Sequence, residues 1–298
     1  MYPRAFEYFA PNDLAEATAL LARYGEGAKA LAGGQSLIPL MKLRLASPAC
    51  IVDIGRLPHL GYLQEDAGNL NIGALASHAS VLQSPIVRRR WPLVADAVSV
   101  IGDPQVRNWG TVGGALAEAD PAGDWGVVAL ALKARVHCSS VRGERWLTAD
   151  SFFIDAYTTQ LKDDELITEV VFPAPPQASA GAYLKLERRA GDFAVVSVAV
   201  QLAIDKNFIC TESSVALGAA GLTPIAATIA AAWLRGKELR TDVIQEAAGL
   251  LAREIEPLAD IRGSENYKRA AAQALFKQAV EIALRRSRGE TVEAGHVR

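Results

Sequence analysis

The sequence predicts two units in series, an α/β unit followed by an α+β unit. Three observations predict it. Helix-like and strand-like apolar patterns alternate through the first half of the chain. The stretch PAPPQASAG at residues 173–181 combines prolines with small residues, as linkers do. Beyond it, three apolar strands precede three helices, the order expected of an antiparallel sheet covered by helices. The boundary falls near residue 177. The N-terminal unit is residues 1–177, in two α/β parts (about 1–57 and 58–177). The C-terminal unit is residues 178–287, and the polar tail, residues 288–298, is expected to fray.

Pro11-Asn12-Asp13 supplies caps for a helix whose Leu14, Ala17, Leu21 and Tyr24 share one face, and Gly25 and Gly27 stop it. Residues 28–31 form a short strand that runs into Ala32-Gly33-Gly34-Gln35-Ser36, and an apolar helix over 37–45 follows. Strands are expected at 50–54 and 71–75. Val87, Trp91, Val94 and Val98 predict one helix over 86–98. Residues 101–124 are rich in Gly, Pro, Asp and Asn yet lie between apolar elements, and long loops in such places are usually functional. A helix over 125–132, a hairpin around Arg142-Gly143 and a strand over 166–172 complete this unit. After the linker, strands are expected at 182–188, 195–204 and 211–217. Helices are expected at 223–234, 241–254 and 266–286, the last with Tyr267, Ala271, Ala274, Leu275, Ile282 and Ala283 on one face.

Composition excludes several classes. Half of the 298 residues are apolar and the formal charge is -2, so general disorder and an electrostatic nucleic-acid partner both lack support. Arg88, Arg89 and Arg90 form the one basic triplet, expected on a solvated helix face. Cys50, Cys138 and Cys210 are too few and too widely spaced for a disulfide framework, and no Cys-x-x-Cys holds a metal. The N-terminal Met1-Tyr2-Pro3-Arg4 lacks a signal-peptide core. Residues 213–234 carry no charge and are long enough to cross a bilayer, but Gly218, Gly221 and Thr223-Pro224 interrupt them, so a strand, turn and buried helix are expected. These features predict a soluble cytoplasmic protein without a transmembrane segment.

Gly25-Glu26-Gly27-Ala28-Lys29-Ala30 matches the G-x-G-x-x-A dinucleotide fingerprint, but its order is helix, glycines, strand, the reverse of what that fingerprint needs. A helix C-cap explains it better. His59, His78, His137 and His296 have no metal-ligand spacing, and Ser36, Ser77 and Ser151 lack a Gly-x-Ser-x-Gly elbow. No acid, base or nucleophile constellation appears, so no catalytic residue is assigned and no metal site is expected.

Two glycine pairs stand out, Ala32-Gly33-Gly34-Gln35-Ser36 and Thr111-Val112-Gly113-Gly114-Ala115. Paired glycines let the backbone bend and let a ligand approach the peptide plane. Successive N–H groups then converge into an anion nest, to which Ser36 or Thr111 adds a hydroxyl. Two such loops facing each other suit the two phosphates of a pyrophosphate.

The stretch LAGGQSLIPLMKLRL at residues 31–45, with IGDPQVRNWGTVGGALAEADPAGD at 101–124, closely resembles the FAD-binding medium subunit of the molybdenum hydroxylases. That family includes carbon monoxide dehydrogenase and xanthine dehydrogenase. KLERRAGDF at 185–193 and IRGSENY at 261–267 resemble its C-terminal domain, so the resemblance covers nearly the whole chain. It implies a vanillyl-alcohol-oxidase-like FAD domain of two subdomains and a C-terminal domain with an antiparallel sheet and helices. It also implies that Ala32, Gly33, Gly34, Gln35, Ser36 and Leu37 cradle the pyrophosphate with Thr111, Gly113, Gly114 and Ala115. Ile101 would pack on the isoalloxazine, Asp124 bind ribityl or ribose hydroxyls and Ile167 contact the flavin side. Lys185 would sit near the carbonyl edge of the ring and Phe193 stack near the flavin. Gln35, Ala115, Trp109, Glu118 and Phe193 stand where the family often has His, Ser or Asn, Arg, His and Tyr.

By the same resemblance, the chain relays electrons in a heterotrimer. A large molybdopterin subunit would hydroxylate the substrate, a small subunit with two [2Fe–2S] clusters would pass electrons to FAD here, and an external acceptor would take them. The absence of a four-cysteine insertion implies no further cluster. Two rival readings remain at this point: a stand-alone FAD oxidase and a flavin-free scaffold subunit.

Overall fold

In the computed structural model, which describes residues 2–297, the chain opens with β1 (Glu7–Phe9), α1 (Leu14–Tyr24), β2 (Ala28–Leu31), α2 (Leu37–Lys42) and β3 (Cys50–Asp53). β1 and β2 flank β3 and run parallel to it. Asp13 starts α1 by accepting the Glu16 N–H at 2.8 Å, and Gly25, at a φ of 53°, ends it. Ala17 and Leu21 then close over Cys50 and Val52. The expected helix over 37–45 stops at Lys42, because Arg44 takes a left-handed φ of 61°.

The middle of the chain holds β4 (Leu63–Asp66), β5 (Asn69–Gly73), α3 (His78–Gln83), α4 (Pro85–Arg90), α5 (Pro92–Ser99), α6 (Pro104–Trp109), α7 (Val112–Glu118) and α8 (Asp124–Ala131). It continues with β6 (Arg135–Ser140), β7 (Gly143–Thr148), α9 (Ala149–Phe152), β8 (Phe153–Asp155), β9 (Thr158–Thr159) and β10 (Leu166–Phe172). Five strands form one sheet in the order β4-β5-β10-β6-β7, and every pairing is antiparallel. This corrects the α/β expectation for residues 58–177. Two-residue turns at Ala67-Gly68 and Val141-Arg142 join β4 to β5 and β6 to β7, and such turns produce antiparallel neighbours only. Helices α3 to α8 form one block between β5 and β6 instead of parallel crossovers, and the short α9 follows β7.

Two further expectations change here. The helix over 86–98 is two helices, because Pro92 has no N–H to donate and holds Trp91 in an extended φ of -126° with ψ 60°. Residues 101–124 are not a structureless loop; α6 and α7 lie within them.

The C-terminal part comprises β11 (Ser179–Leu186), β12 (Val196–Ile204), β13 (Cys210–Gly218), β14 (Ile225–Ala226), α10 (Thr228–Leu234), α11 (Thr241–Glu254), α12 (Glu265–Ser287) and β15 (Gly295–Val297). The sheet order is β14-β13-β12-β11-β15. β11 to β14 are antiparallel, whereas β15 runs parallel to β11, so the tail adds a strand where fraying was expected. The expected helix from 223 begins at Thr228, because Ile225 and Ala226 pair with β13.

Both faces of this sheet are covered, so β12 is almost wholly buried. On one face Leu184, Val198, Val200 and Leu217 meet α10, α11 and α12. On the other, Tyr183, Ala199 and Ala216 join the core of the N-terminal part. Strand alternation therefore points Tyr183, Lys185 and Glu187 toward the first half of the chain. All three cysteines are buried and free, and no helix among the described residues is long and apolar enough to cross a membrane.

Candidate functional site

The two glycine loops touch. A Cβ on Gly33 would lie 1.9 Å from the Trp109 carbonyl oxygen and 3.0 Å from the Gly110 Cα, so a glycine is what lets the two backbones meet. Ala32 also faces Gly114, at 3.8 Å from where a Cβ would stand. Gly34 has a φ of 71°, the left-handed region that a glycine enters without strain.

The loops differ in what they offer. In the second, the four amides from Val112 to Ala115 are already engaged. Val112 N–H donates to Ala76 O at 3.1 Å, Gly113 to Ala74 O at 2.9 Å, Gly114 to the Thr111 Oγ1 at 3.2 Å and Ala115 to Thr111 O at 3.0 Å. Gly113 is small because α7 presses on Ala74, whose Cβ would be 2.6 Å from an added Cβ. The anion-nest expectation therefore does not hold for the amides of Val112 to Ala115. Thr111 caps α7 with its oxygen and keeps its own hydroxyl proton to give.

In the first loop, the N–H groups of Gly33, Gly34, Gln35, Ser36 and Leu37 donate to no acceptor among the described residues. They cluster where β2 turns into α2, with Gln35 Nε2 donating back to Gly33 O at 3.3 Å. The Ser36 hydroxyl faces Glu118 on α7 and holds its carboxyl down, yet burial and the Asp120 charge together push that carboxyl above the usual glutamate range. Ala119 turns the chain out of α7 at a left-handed φ of 53°.

A second cluster forms where the C-terminal sheet meets the turn before α6. Lys185, 1% exposed, donates from Nζ to Val100 O at 3.1 Å and to Asp124 Oδ2 at 3.2 Å. Tyr183 donates from its hydroxyl to Asp124 Oδ1 at 2.5 Å, and Glu187 Oε2 lies 3.8 Å from Lys185 Nζ. Asp124 opens α8, where a helix N-terminus favours its charge. Burial raises the Tyr183 phenol well above its usual value, as does the neighbouring Asp124 charge. Burial also raises the Asp124 carboxyl, against the pull of Lys185.

Ile101 is partly buried beside this cluster, and Arg107 Nη1 holds the turn by donating to Ile101 O at 2.9 Å and Gly102 O at 3.0 Å. From the C-terminal side, Gly191 comes so close that a Cβ there would be 2.8 Å from Gly102 O. Phe193, 45% exposed, stands on that same β11–β12 loop with the Arg262 guanidinium 5.8 Å from its ring centre. Ile167 is buried in the core on β10. The structure thus brings Ile101, Asp124 and Lys185 to one place, and sets the Phe193 loop against the same turn.

Sequence reasoning did not single out Arg107, Tyr183 or His78. His78 is buried on α3, accepts the Trp125 Nε1–H at 3.1 Å and donates its backbone N–H to Gly110 O at 3.0 Å, which braces the second loop from behind. Burial drives its imidazole down to about 4. Its partners are 32 and 47 residues away in sequence, so no local spacing marks it.

Comparison with known proteins agrees with this architecture. Residues 4–175 match the family described as FAD binding domain in molybdopterin dehydrogenase, and residues 181–283 match the CO dehydrogenase flavoprotein C-terminal domain. The chain is 38% identical to the carbon monoxide dehydrogenase medium chain of Hydrogenophaga pseudoflava, over 95% of this chain and 98% of that one. It is likewise 38% identical to the glyceraldehyde dehydrogenase medium chain of Sulfolobus acidocaldarius, over 94% and 98%. A solved structure of carbon monoxide dehydrogenase from Hydrogenophaga pseudoflava, lacking the Mo-pyranopterin moiety, superposes with a TM-score of 0.93 at 39% identity, covering 96% of this chain and 99% of that one. With both halves matched in order and nearly end to end, the chain belongs to the family of FAD-binding medium subunits of the molybdenum hydroxylases.

Proposed function

We propose that this chain binds FAD by its pyrophosphate on the Gly33–Leu37 amides, and serves as the electron-relay subunit of a molybdenum hydroxylase. The observation that carries the reading is the row of five backbone N–H groups without acceptors, backed at van der Waals distance by the second glycine loop. Such a row is a ready anion site, and a Cβ at Gly114 would stand between the loops. The residues present therefore fit the cofactor. Ala32 to Leu37 would hold the phosphates from one side. Thr111, Gly114 and Ala115 would close the other, with Gly113 serving to seat α7 on β5.

Ile101, Asp124, Ile167, Lys185 and Phe193 are the residues we assign to the remainder of the flavin. The Lys185 ammonium supplies a buried positive charge, and a cation beside the ring favours the reduced, anionic flavin. When bound, FAD would supply the redox chemistry that connects iron–sulfur clusters of a small subunit to an external acceptor. The large molybdopterin subunit would carry the substrate chemistry. We further place the domain boundary near residue 177 and the complex in the cytoplasm.

The test is an absorption spectrum of the purified native complex, followed by denaturation and identification of the released chromophore. About one FAD per copy of this chain is expected for a single pyrophosphate cradle. Iron–sulfur absorbance from co-purified subunits is expected beside it. A yellow monomer that oxidises a substrate unaided would favour an oxidase, and a colourless chain that resists reconstitution would refute the cofactor assignment.

A further inference from the structure

The buried contacts of Lys185 run through Asp124 to Tyr183, a residue not itself assigned to the flavin. Strand alternation puts Tyr183 and Lys185 on one face of β11, where the first residue of α8 presents the Asp124 carboxylate. The two oxygens of that carboxylate are divided between them. Oδ1 accepts the Tyr183 hydroxyl at 2.5 Å, and Oδ2 accepts from Lys185 Nζ at 3.2 Å. Lys185 gives a second N–H to Val100 O at 3.1 Å. Tyr183, Lys185 and Asp124 are all buried, so little water reaches the chain of contacts.

Three features give the tyrosine a task. A carboxylate out of water is costly unless charges and hydrogen bonds offset its desolvation. Burial raises the Asp124 carboxyl, while the Lys185 charge and the hydrogen bonds from Tyr183 and Lys185 pull it down. Next, burial and the Asp124 charge hold the Tyr183 phenol well above its ordinary range, so the proton stays on the tyrosine and the bond is donated toward Asp124. Last, Tyr183 is anchored. Its backbone N–H donates to Asp96 Oδ2 at 3.2 Å, and Asp96 on α5 is itself paired with Arg286. The groups that bear on the Asp124 charge are thus Lys185, Tyr183 and Glu187 from the strand and its end. On β12, directly across from Lys185, Ser197 turns its hydroxyl to the phenol.

We infer that Tyr183 is a positioning residue for the flavin: it holds Asp124 as a carboxylate with Oδ2 turned to Lys185, and so fixes the charge presented to the ring. The inference rests on the flavin assignment of Asp124 and Lys185. Reduction by two electrons from the iron–sulfur clusters, with one proton taken from water, leaves one added negative charge on the ring. Lys185 favours that charge and an ionised Asp124 opposes it. Without the tyrosine hydroxyl, Asp124 takes up a proton at a higher pH, the local charge rises by one, and reduction becomes easier.

The test is a reference-dye redox titration of the flavin in the purified FAD-loaded complex at a series of pH values. Tyr183→Phe removes one oxygen and keeps the ring. It should raise the flavin potential at low pH by about tenfold in the redox equilibrium, about 30 mV for a two-electron couple, and rejoin the wild type as pH rises. Asp124→Asn should raise the potential at every pH, and adding Tyr183→Phe to it should change nothing further. A Tyr183→Phe potential equal to the wild type throughout, one displaced equally at every pH, or full additivity with Asp124→Asn would each overturn the inference. Thermal unfolding of the flavin-stripped complex gives a second readout. There Tyr183→Phe should lose more stability at high pH than at low pH, because the missing hydrogen bond is strongest to an ionised carboxylate. A loss independent of pH would also overturn the inference. A complex that releases no FAD refutes the flavin assignment, whereas the flavin-free measurement still decides whether Tyr183 acts on Asp124.

Discussion

His78 carries a consequence that a residue of its type rarely does. Burial holds its imidazole near 4, whereas an unfolded histidine titrates near 6.5. The unfolded state therefore binds the proton more tightly, and stability falls as pH drops from about 6.5 to about 4. A full shift of this size corresponds to about 3 kcal/mol. His78→Gln, which can still accept from Trp125, should flatten the urea-midpoint profile across that interval; an unchanged slope would show that the acid sensitivity arises elsewhere. Glu118 works in the opposite sense. Its carboxyl is raised by burial and by Asp120, so it stays neutral beyond the usual glutamate range and becomes charged only as pH rises further. Once charged, it stands beside Ser36 next to the proposed diphosphate cradle and repels the ligand. FAD retention should thus weaken by a few-fold as pH climbs through the raised value, at roughly the scale of one screened like-charge contact. Glu118→Gln should hold FAD with little pH dependence, as measured by flavin release in dialysis at several pH values.

At the scale of elements, the two glycine pairs separate structural from ligand roles. Gly33→Ala would drive a Cβ into the Trp109 carbonyl, so it should destabilise the fold by about 1–3 kcal/mol as an overpacked contact and lose flavin with it. Gly114→Val meets chiefly the Thr111 hydroxyl, at 2.7 Å, and enters the gap between the loops. It should cost about 0.5–2 kcal/mol through the lost cap and abolish flavin binding while the fold persists. Equal stability losses in the two variants, or full flavin content in Gly114→Val, would mean that the second loop is misassigned. How far such elements could be read beforehand varies with where their causes lie. β10 and α11 matched their expected bounds because their apolar periods are local. The break at Trp91-Pro92 was legible too, had the proline been weighed above the apolar spacing. The pairing of β5 with β10, about 100 residues apart, was not, because nothing within either strand records its neighbour. The glycine motifs marked the loops, but the difference between free and engaged amides depends on Ala74 and Ala76, which belong to another element.

The molecule as a whole is held across its two halves by buried charge. Arg286, on α12, donates to both oxygens of Asp96 on α5, from Nη1 at 2.6 Å and Nη2 at 2.9 Å, and also to Gly181 O and Val292 O. Asp96 in turn accepts the Tyr183 N–H at 3.2 Å. Both Gly181 and Tyr183 lie on β11, four and two residues before Lys185 on the same strand. The clamp therefore fixes the strand that delivers Lys185 to Asp124, and domain pairing and the Lys185–Asp124 cluster are mechanically one feature. Asp96→Ala strands a guanidinium that is 11% exposed and removes the Tyr183 acceptor, which should cost about 3–5 kcal/mol. Replacing both partners, Asp96→Ala with Arg286→Met, should recover much of that loss, since an apolar pair leaves no buried charge unmet. If the clamp also positions Lys185, the single variant should shed flavin at denaturant concentrations where the helices of both halves remain folded. Flavin release that coincides with global unfolding in every variant would reduce Asp96–Arg286 to a stability element alone. A coupling near zero in the double-mutant cycle would remove even that role.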